Sequence, residues 1–541
     1  MKLVSVEEMR AIEAEADANG VTYEKMMENA GNGLAKVVQA LDLNGRDRAV
    51  VGLVGAGNNG GDTLVALTAL LKAGWQAMAY QVLPRGEKDR LTALFEESGG
   101  ELIRYAEDKK FQRLDEWLRS ASVLLDGILG TGARLVLSPE LAKLLAHVAE
   151  FSPRPYVVAV DCPSGVDCDS GSAAAECIPA NMTVCMAAVK EGLIKLPAFE
   201  LVGRLEVVDL GLPQNIQRWA AVKRQVVSEE VVRPILPKRR MDAHKGTFGT
   251  AMIVAGSTNY TGAALLAAKA AYRIGTGLVR LAIPANLHTA LAGHIPEATW
   301  LLLPHEMGVI SDDAHALILK NLDKVSGLLL GPGWGLEDTT GEFLQKLLAA
   351  PVEGVHKGSI GFVPSDTESK ATEKISLPPL VIDADGLKLL AQIKNWHGLL
   401  PSLSVLTPHP GEMAILTGMD IKDIQRQRIE VAQQFSRQWG HVIVLKGALT
   451  VVADPQGRLS VIPVATPALA RAGTGDVLAG MVVGLLAQGV LPYEAAVAAA
   501  WVHAQAGLRA LDWLGHSAAV LAGDLLDSIA EVLSAINRQE V

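Results

Sequence analysis

Short apolar runs recur along this chain in two series, each run stopping at a turn rich in glycine or aspartate and most of them followed by a helix-spaced stretch. In the first series Ala49–Val54 ends in Gly55-Ala56-Gly57-Asn58-Asn59-Gly60-Gly61-Asp62, and a helix is expected over 63–73. Further strand-like runs fall at 122–125, 157–160 and 205–208, with helical spacing at 111–119 and 140–148 between them. After 240 the alternation restarts, with strands expected at 251–255, 278–283, 327–330, 380–382, 404–406, 442–445 and 450–452. Strands that alternate with helices pair in parallel, because the helical crossover returns the chain to the same end of the sheet. The fold class expected is therefore α/β, with two doubly wound domains.

The length agrees, since 541 residues exceed one domain of roughly 100–200 residues. The boundary is expected in 209–240, which holds Pro213, Pro234, Pro237 and the basic cluster Lys238-Arg239-Arg240. The division is drawn as a domain over 1–215, a linker over 216–240 and a domain over 241–541. Residues 351–379, rich in Gly, Ser, Thr, Lys and Glu, read as a surface insertion. The net charge of −10 and the lack of a long basic run argue against a nucleic-acid partner. The apolar run near 477–491 is shorter than the ~20 residues that span a bilayer, so no membrane partner is expected. Residues 1–17 carry Glu7, Glu8, Glu13 and Glu15 and resemble no export signal. The four cysteines include no C-x-x-C pair, and the expectation is reduced thiols in a cytoplasmic protein.

The turns carry the chemistry. Gly55–Gly60 matches the spacing G-x-G-x-x-G between a strand and a helix, formally a dinucleotide fingerprint. A standard NAD-linked oxidoreductase also needs an acid at the end of the next strand, and 77–83 supplies none. The distinctive part is Asn58-Asn59-Gly60-Gly61-Asp62, two amides and a carboxylate on a turn. Two more strand ends are polar: Asp126 to Gly132, and Asp161-Cys162-Pro163-Ser164-Gly165. Ligands of open parallel sheets bind past the carboxyl ends of strands, so Asn59, Asp126 and Ser164 could converge on a hard cation and Asp161 could reach a substrate. Taken singly, each Asp reads first as an ordinary turn former; three such strand ends in one sheet favour a site.

These motifs, with Ser5-Val6-Glu7-Glu8-Met9-Arg10 and Met27-Glu28-Asn29-Ala30-Gly31, resemble the YjeF N-terminal family of NAD(P)HX epimerases over about 1–215. The resemblance implies a Rossmann-like domain. It also implies substrate contacts at Asn58, Asn59, Gly60, Gly61 and Asp62, at Gly130, Thr131, Gly132, Ala133, Arg134, Leu135 and Val136, and at Asp161. Potassium ligands are implied at Asn59, Asp126 and Ser164. Lys190 stands in a matching place. Thr63 departs from the family, which has glycine there.

In the second half the strongest motif is Gly473-Thr474-Gly475-Asp476 ahead of an apolar helix. Two glycines and a helix N-terminus expose amides to an anion, and Asp476 would stand at its mouth as a proton acceptor. An Asp that merely caps the helix is the alternative. Lys446 could balance phosphate charge or be a solvated lysine. His409, held between prolines, suits a substrate contact or a structural role. No G-x-x-x-x-G-K-[ST] is present, so this is not a P-loop enzyme.

The set Gly331-Pro332-Gly333, Asp383 to Leu387, Thr407 to Glu412, Lys446 to Thr450 and Gly473 to Gly480 resembles the YjeF C-terminal family over about 230–541. That family comprises the ADP- or ATP-dependent NAD(P)HX dehydratases, of ribokinase-like fold. The resemblance implies nucleotide contacts at Lys446, Gly447, Ala448, Leu449, Thr450 and Gly475, and NAD(P)HX contacts at Ala264, Gly333, His409 and Asp476. Asp476 and Asp161 are the implied catalytic residues, with K⁺ serving the first activity and Mg²⁺ and ADP the second. The expected partners are NADHX, NADPHX and ADP or ATP, and a homo-oligomer is expected. A vitamin or sugar kinase joined to a non-catalytic first domain is the rival reading.

Overall fold

The computed structural model of the chain describes residues 1–43, 45–86, 89–132, 135–349 and 377–538. The insertion read at 351–379 lies outside the described residues as far as 376, as do Ala133 and Arg134. The chain divides into two compact units, Met1–Val226 and Val227–Val541. Within the expected linker lie a helix Gln217–Ala221, a strand Arg224–Val226 and a helix Glu229–Val232.

In the first unit a seven-stranded sheet contains β1 (Ala49–Val54), β2 (Gln76–Gln81), β3 (Glu101–Arg104), β4 (Val123–Gly127), β5 (Tyr156–Val160), β6 (Met182–Met186) and β7 (Arg204–Val208). Every neighbouring pair is parallel, in the order β3-β2-β1-β4-β5-β6-β7. Because both faces are covered, β1 is apolar throughout, and its side chains alternate between two cores. Val50 and Val54 join one core with Val123 and Leu125; Val51 and Leu53 join the other with Leu124. The strand order reverses between β1 and β4, where open α/β sheets form their ligand crevice. β3 and β6 are not evident from hydrophobic runs. Glu101 and Arg104 bracket only two apolar residues in β3, and β6 is interrupted by Thr183.

The second unit holds β8 (Thr250–Val254), β9 (Leu278–Pro284), β10 (Thr299–Leu303), β11 (Gly327–Leu330), β12 (Leu380–Ile382), β13 (Val405–Leu406), β14 (Val442–Leu445), β15 (Val451–Ala453) and β16 (Leu459–Val461). They neighbour one another as β16-β15-β14-β13-β12-β11-β8-β9-β10. Pairing is parallel from β14 to β10 and antiparallel through β15 and β16. The helix Thr474–Ala487 packs on Thr261–Arg273 through small residues. A Cβ at Gly480 would stand 2.2 Å from the carbonyl oxygen of Ala267. The C-terminal stretch forms two helices, Pro492–Leu514 and Ala522–Arg538, the first ending at Gly515, which takes a left-handed φ of 73°. Among the described residues no helix is long and apolar enough to cross a membrane.

Candidate active sites

In the first unit the helix after β1 begins at Asn58, earlier than the expected 63, and runs to Lys72. Asn58, Asn59, Gly60, Gly61 and Asp62 therefore form helical turns rather than a loop. Glycine makes this possible. A Cβ at Gly55 would stand 1.8 Å from the carbonyl oxygen of Ile128, and one at Gly60 would stand 2.0 Å from that of Gly55. The N-cap is Gly57, with no side chain bonded to the helix end. Thr63 is fully buried, and its hydroxyl donates to the Asn59 carbonyl oxygen at 2.7 Å. The space it needs comes from Gly127, whose Cβ would fall 1.9 Å from the Thr63 Oγ1. The departure at Thr63 is thus met on β4 and does not distort the helix.

Asn59, Asp126 and Ser164 come together at the ends of β1, β4 and β5. The Asn59 amide donates to the carbonyl oxygens of Leu129 at 3.1 Å and Val160 at 2.5 Å. Asp126 Oδ2 accepts the Ser164 amide at 2.8 Å, its Oδ1 accepts the Ser164 hydroxyl at 2.5 Å, and that hydroxyl accepts the Leu129 amide at 3.0 Å. Burial raises the pKa of Asp126 against the opposing hydrogen bonds from Ser164. The Ile128 amide opposes it as well, and among the described residues no cationic side chain contributes to that balance.

Asp161 directly follows β5, ahead of Ser164, with a left-handed φ of 65°. Its Oδ1 accepts the Met186 amide at 2.9 Å and pairs with the Lys190 ammonium. Among the described residues its hydrogen bonds use Oδ1 alone, which leaves Oδ2 for a ligand. Burial pushes the Lys190 ammonium down, but the carboxylate of Asp161 and the Cys185 thiol outweigh it and its pKa rises. Asp62 lies near this pair. Burial first, then the charge of Asp161, raises its carboxyl well above the usual range. Lys190 is thus brought into the site. Gly130, Thr131, Gly132, Leu135 and Val136 lie in the segment after β4, and a Cβ at Gly130 would fall 2.4 Å from Asn59 Oδ1.

In the second unit the helix Thr474–Ala487 starts from Gly473 in a left-handed turn, φ 89°, again with no side-chain cap. Asp476 is inside the first turn and does not cap the helix. Burial above all, then the nearby charge of Asp383, raises its carboxyl to about 7. Lys446, at the end of β14, pairs with Asp383 Oδ1 at 2.6 Å and with Glu412 Oε2 at 3.6 Å. Burial lowers the Lys446 ammonium, but these two carboxylates outweigh it and its pKa rises. Gly475 lies beside this pair: a Cβ there would make ordinary contacts, 3.4 Å from Lys446 Nζ and 3.9 Å from Asp383 Oδ2. Asp383 Oδ1 also accepts the Thr407 hydroxyl at 2.7 Å, while Oδ2 is buried with no hydrogen-bond partner.

His409 caps the helix Pro410–Thr417. Its Nδ1 accepts the amides of Gly411 at 3.0 Å and Glu412 at 3.2 Å, and Nε2 lies 3.2 Å from Glu412 Oε1. Burial depresses its pKa against the opposing charge of Glu412. Gly447, Ala448, Leu449 and Thr450 form the turn after β14, with Gly447 at φ 142° and Leu449 at φ 56°. Arg428 donates to the carbonyl oxygens of Leu445 at 2.8 Å and Lys446 at 3.2 Å and so braces this turn. His503 bonds the carbonyl oxygen of Thr474 at 2.9 Å, behind the anion-binding turn. Gly333 has a left-handed φ of 65°, and its Cβ would meet Ala263 and Tyr260 at 2.8 Å. Ala264 is fully buried and belongs to the apolar core. Arg428 and His503 are not evident from the sequence, and Glu412 stands out there only as the end of a motif, because a brace is visible only once its partner's backbone is placed.

Two doubly wound α/β units, each with a buried Lys–Asp pair beside a glycine-bounded helix N-terminus, define a two-site enzyme of nucleotide chemistry. Residues 23–192 match the family model described as YjeF-related protein N-terminus, and 251–355 with 366–531 match the model described as NAD(P)H-hydrate dehydratase. The bifunctional NAD(P)H-hydrate repair enzyme of Moorella thermoacetica is 35% identical over 521 residues, 94% of this chain and 92% of that protein. The protein of the same description from Salinibacter ruber is also 35% identical, over 94% of this chain and 91% of its own length. The chain belongs to this family of bifunctional NAD(P)H-hydrate repair enzymes. A crystal structure of the ADP/ATP-dependent NAD(P)H-hydrate dehydratase of Bacillus subtilis, co-crystallised with ATP and Mg²⁺, is 30% identical with TM-score 0.46, covering 57% of this chain and 98% of that one.

Proposed function

We propose that the first unit interconverts the R and S hydrates of NADH and NADPH, and that the second dehydrates the S form at the expense of ADP, yielding NAD(P)H, AMP and phosphate. The observation that carries the reading is Asp476, lifted to about 7, beside Lys446 in the first turn of an uncapped helix. Hydroxide is a poor leaving group; a phosphoryl group placed on the ring hydroxyl makes it a good one. Asp476 accepts the proton of that hydroxyl as its oxygen attacks the terminal phosphorus of the nucleotide. Amides of the Gly473–Gly475 turn and Lys446 stabilise the moving phosphoryl charge. With AMP released, elimination expels phosphate from that carbon and a proton from the adjacent ring carbon to solvent, which restores the ring double bond.

The nucleotide is assigned to Lys446, Gly447, Ala448, Leu449, Thr450 and Gly475. The hydrate is assigned to Gly333, His409 and Asp476, over a floor that includes Ala264. Asp383, with one buried oxygen unpartnered, suits Mg²⁺, which when bound neutralises phosphate charge. In the first unit Asp161 Oδ2 holds or releases the proton, with Lys190 fixing the carboxylate and Asn58–Asp62 and 130–136 gripping the hydrate. Asn59, Asp126 and Ser164 offer an all-oxygen set around a buried carboxylate that lacks a cationic partner, which suits K⁺. K⁺ when bound supplies the missing positive charge. The epimerase is assigned to 1–215 and the dehydratase to 241–541, within a cytoplasmic homo-oligomer.

The test is to give purified protein S-NADHX and ADP and follow the near-ultraviolet absorbance of the dihydronicotinamide. Recovery with release of AMP and phosphate is expected. A stable phosphorylated product instead would establish the kinase reading.

A further inference from the structure

A cavity of about 890 Å³ lies in the first unit, past the carboxyl ends of β2 and β3. It includes none of the residues assigned above to catalysis. Gln81, Arg85, Arg104, Tyr105 and Lys109 are among its walls. Its size is that of a pocket for an organic ligand, about 300–1,000 Å³. It also adjoins the helix N-terminus of the site: the guanidinium of Arg85 donates to the carbonyl oxygens of Gly55 at 3.0 Å and Gly57 at 2.9 Å.

The strand order makes this position meaningful. The reversal of strand order between β1 and β4 falls at the N-terminus of the helix Asn58–Lys72. Asp161 and Lys190 stand on the β5 and β6 side. A dinucleotide whose pyrophosphate meets the helix N-terminus, with its nicotinamide half at Asp161, must lay its other half toward β2 and β3. Tyr105 stacks on Phe111, ring centroids 5.9 Å apart and 21° between planes, so it is a fixed aromatic wall suited to a purine. Gln81 is buried at the end of β2, where an acid would bind a ribose 2′-hydroxyl and repel a 2′-phosphate. Arg104 lies at the rim, its nearest carboxylate, Glu107, 3.6 Å away. Of the acids lining the cavity, Asp89 is held by Arg85 and Thr92, while Glu96 and Glu140 are exposed.

We propose that this cavity seats the adenosine half of the hydrated dinucleotide, and that Gln81 is the residue that admits the 2′-phosphate, so that NADPHX and NADHX are both accepted. The assignment rests on the epimerase reading of the first unit. Three measurements on the full chain test it. Gln81→Glu should raise the epimerase KM for NADPHX about tenfold, while the KM for NADHX moves by less than about twofold. Equal shifts for both would overturn the role of Gln81. Ala93→Trp, which fills the cavity from the helix Arg90–Glu97, should raise KM for both dinucleotide hydrates and spare hydrated nicotinamide mononucleotide. Unchanged dinucleotide kinetics would remove the adenosine half from the cavity. Hydrogen exchange with adenosine 2′,5′-bisphosphate as probe should protect 81–86 and 104–109 in the wild-type protein. Protection there without any epimerase activity would keep the cavity and sink the epimerase reading; no protection would sink the cavity.

Discussion

Asp476 and Asp161 are the same chemical group placed in opposite company. Asp161 is tied through one oxygen to a buried ammonium, whereas Asp476 is half-buried near other carboxylates, which with desolvation push its carboxyl up to about 7. A general base must be ionised, so the dehydratase kcat should fall as pH drops through about 7, a profile read directly from initial rates. Asp476→Asn should cost about 10²–10⁴ in that rate. The same substitution should stabilise the fold. The folded-state pKa lies above the ordinary carboxyl value of 3.8, so the unfolded chain loses this proton first. Native stability falls as pH rises from about 4 to 7, and the neutral amide removes that loss. Thermal melts of Asp476→Asn should therefore exceed wild type above pH 7 and converge with it near pH 4. Equal melting at both would mean that the carboxyl is not desolvated in solution. At the other site, Lys190→Met should leave Asp161 buried without its partner and lower both stability and epimerase kcat, read by melting and by chiral separation of the hydrates.

At the scale of elements, close approach decides which substitutions each helix tolerates. The helix Thr474–Ala487 carries the anion-binding turn at one end and reaches Ala267 through Gly480. Gly480→Val forces these helices apart and should cost about 1–3 kcal/mol or more in denaturant unfolding. It should also weaken ADP binding, because the turn moves with its helix. The helix Asn58–Lys72 depends likewise on Gly127, which leaves room for Thr63. Gly127→Ala should be destabilising alone and partly rescued by Thr63→Gly, a coupling that a double-mutant cycle measures. Additive effects would show that the two do not share the space. This dependence also explains why the helix start was misjudged. Asn58-Asn59-Gly60-Gly61 has the composition of a loop, and only the surrounding backbone makes it helical.

At the scale of the molecule, the two units carry consecutive steps on one substrate. Asp161→Ala should leave S-NADHX consumed at the normal rate while R-NADHX persists; Asp476→Asn should leave both hydrates unrepaired, with the epimers still equilibrating. Mixing the two variants should restore full repair of both epimers. Much of this protein was legible before any coordinates. Apolar runs such as Ala49–Val54, Gly327–Leu330 and Val442–Leu445 bound strands to the residue, because a strand buried on both faces must be apolar along its whole length. The glycine-bounded turns, with Asp126, Asp161, Lys446 and Asp476, were legible for a related reason: chemistry at a strand's end needs short polar groups and an open backbone in a few consecutive residues. Tertiary structure alone decided the pairings Lys190–Asp161 and Lys446–Asp383, the braces from Arg428 and His503, and the cavity beyond β2. Each joins groups far apart in the chain, and their distance, burial and charge exist only after the sheet has set its strand order.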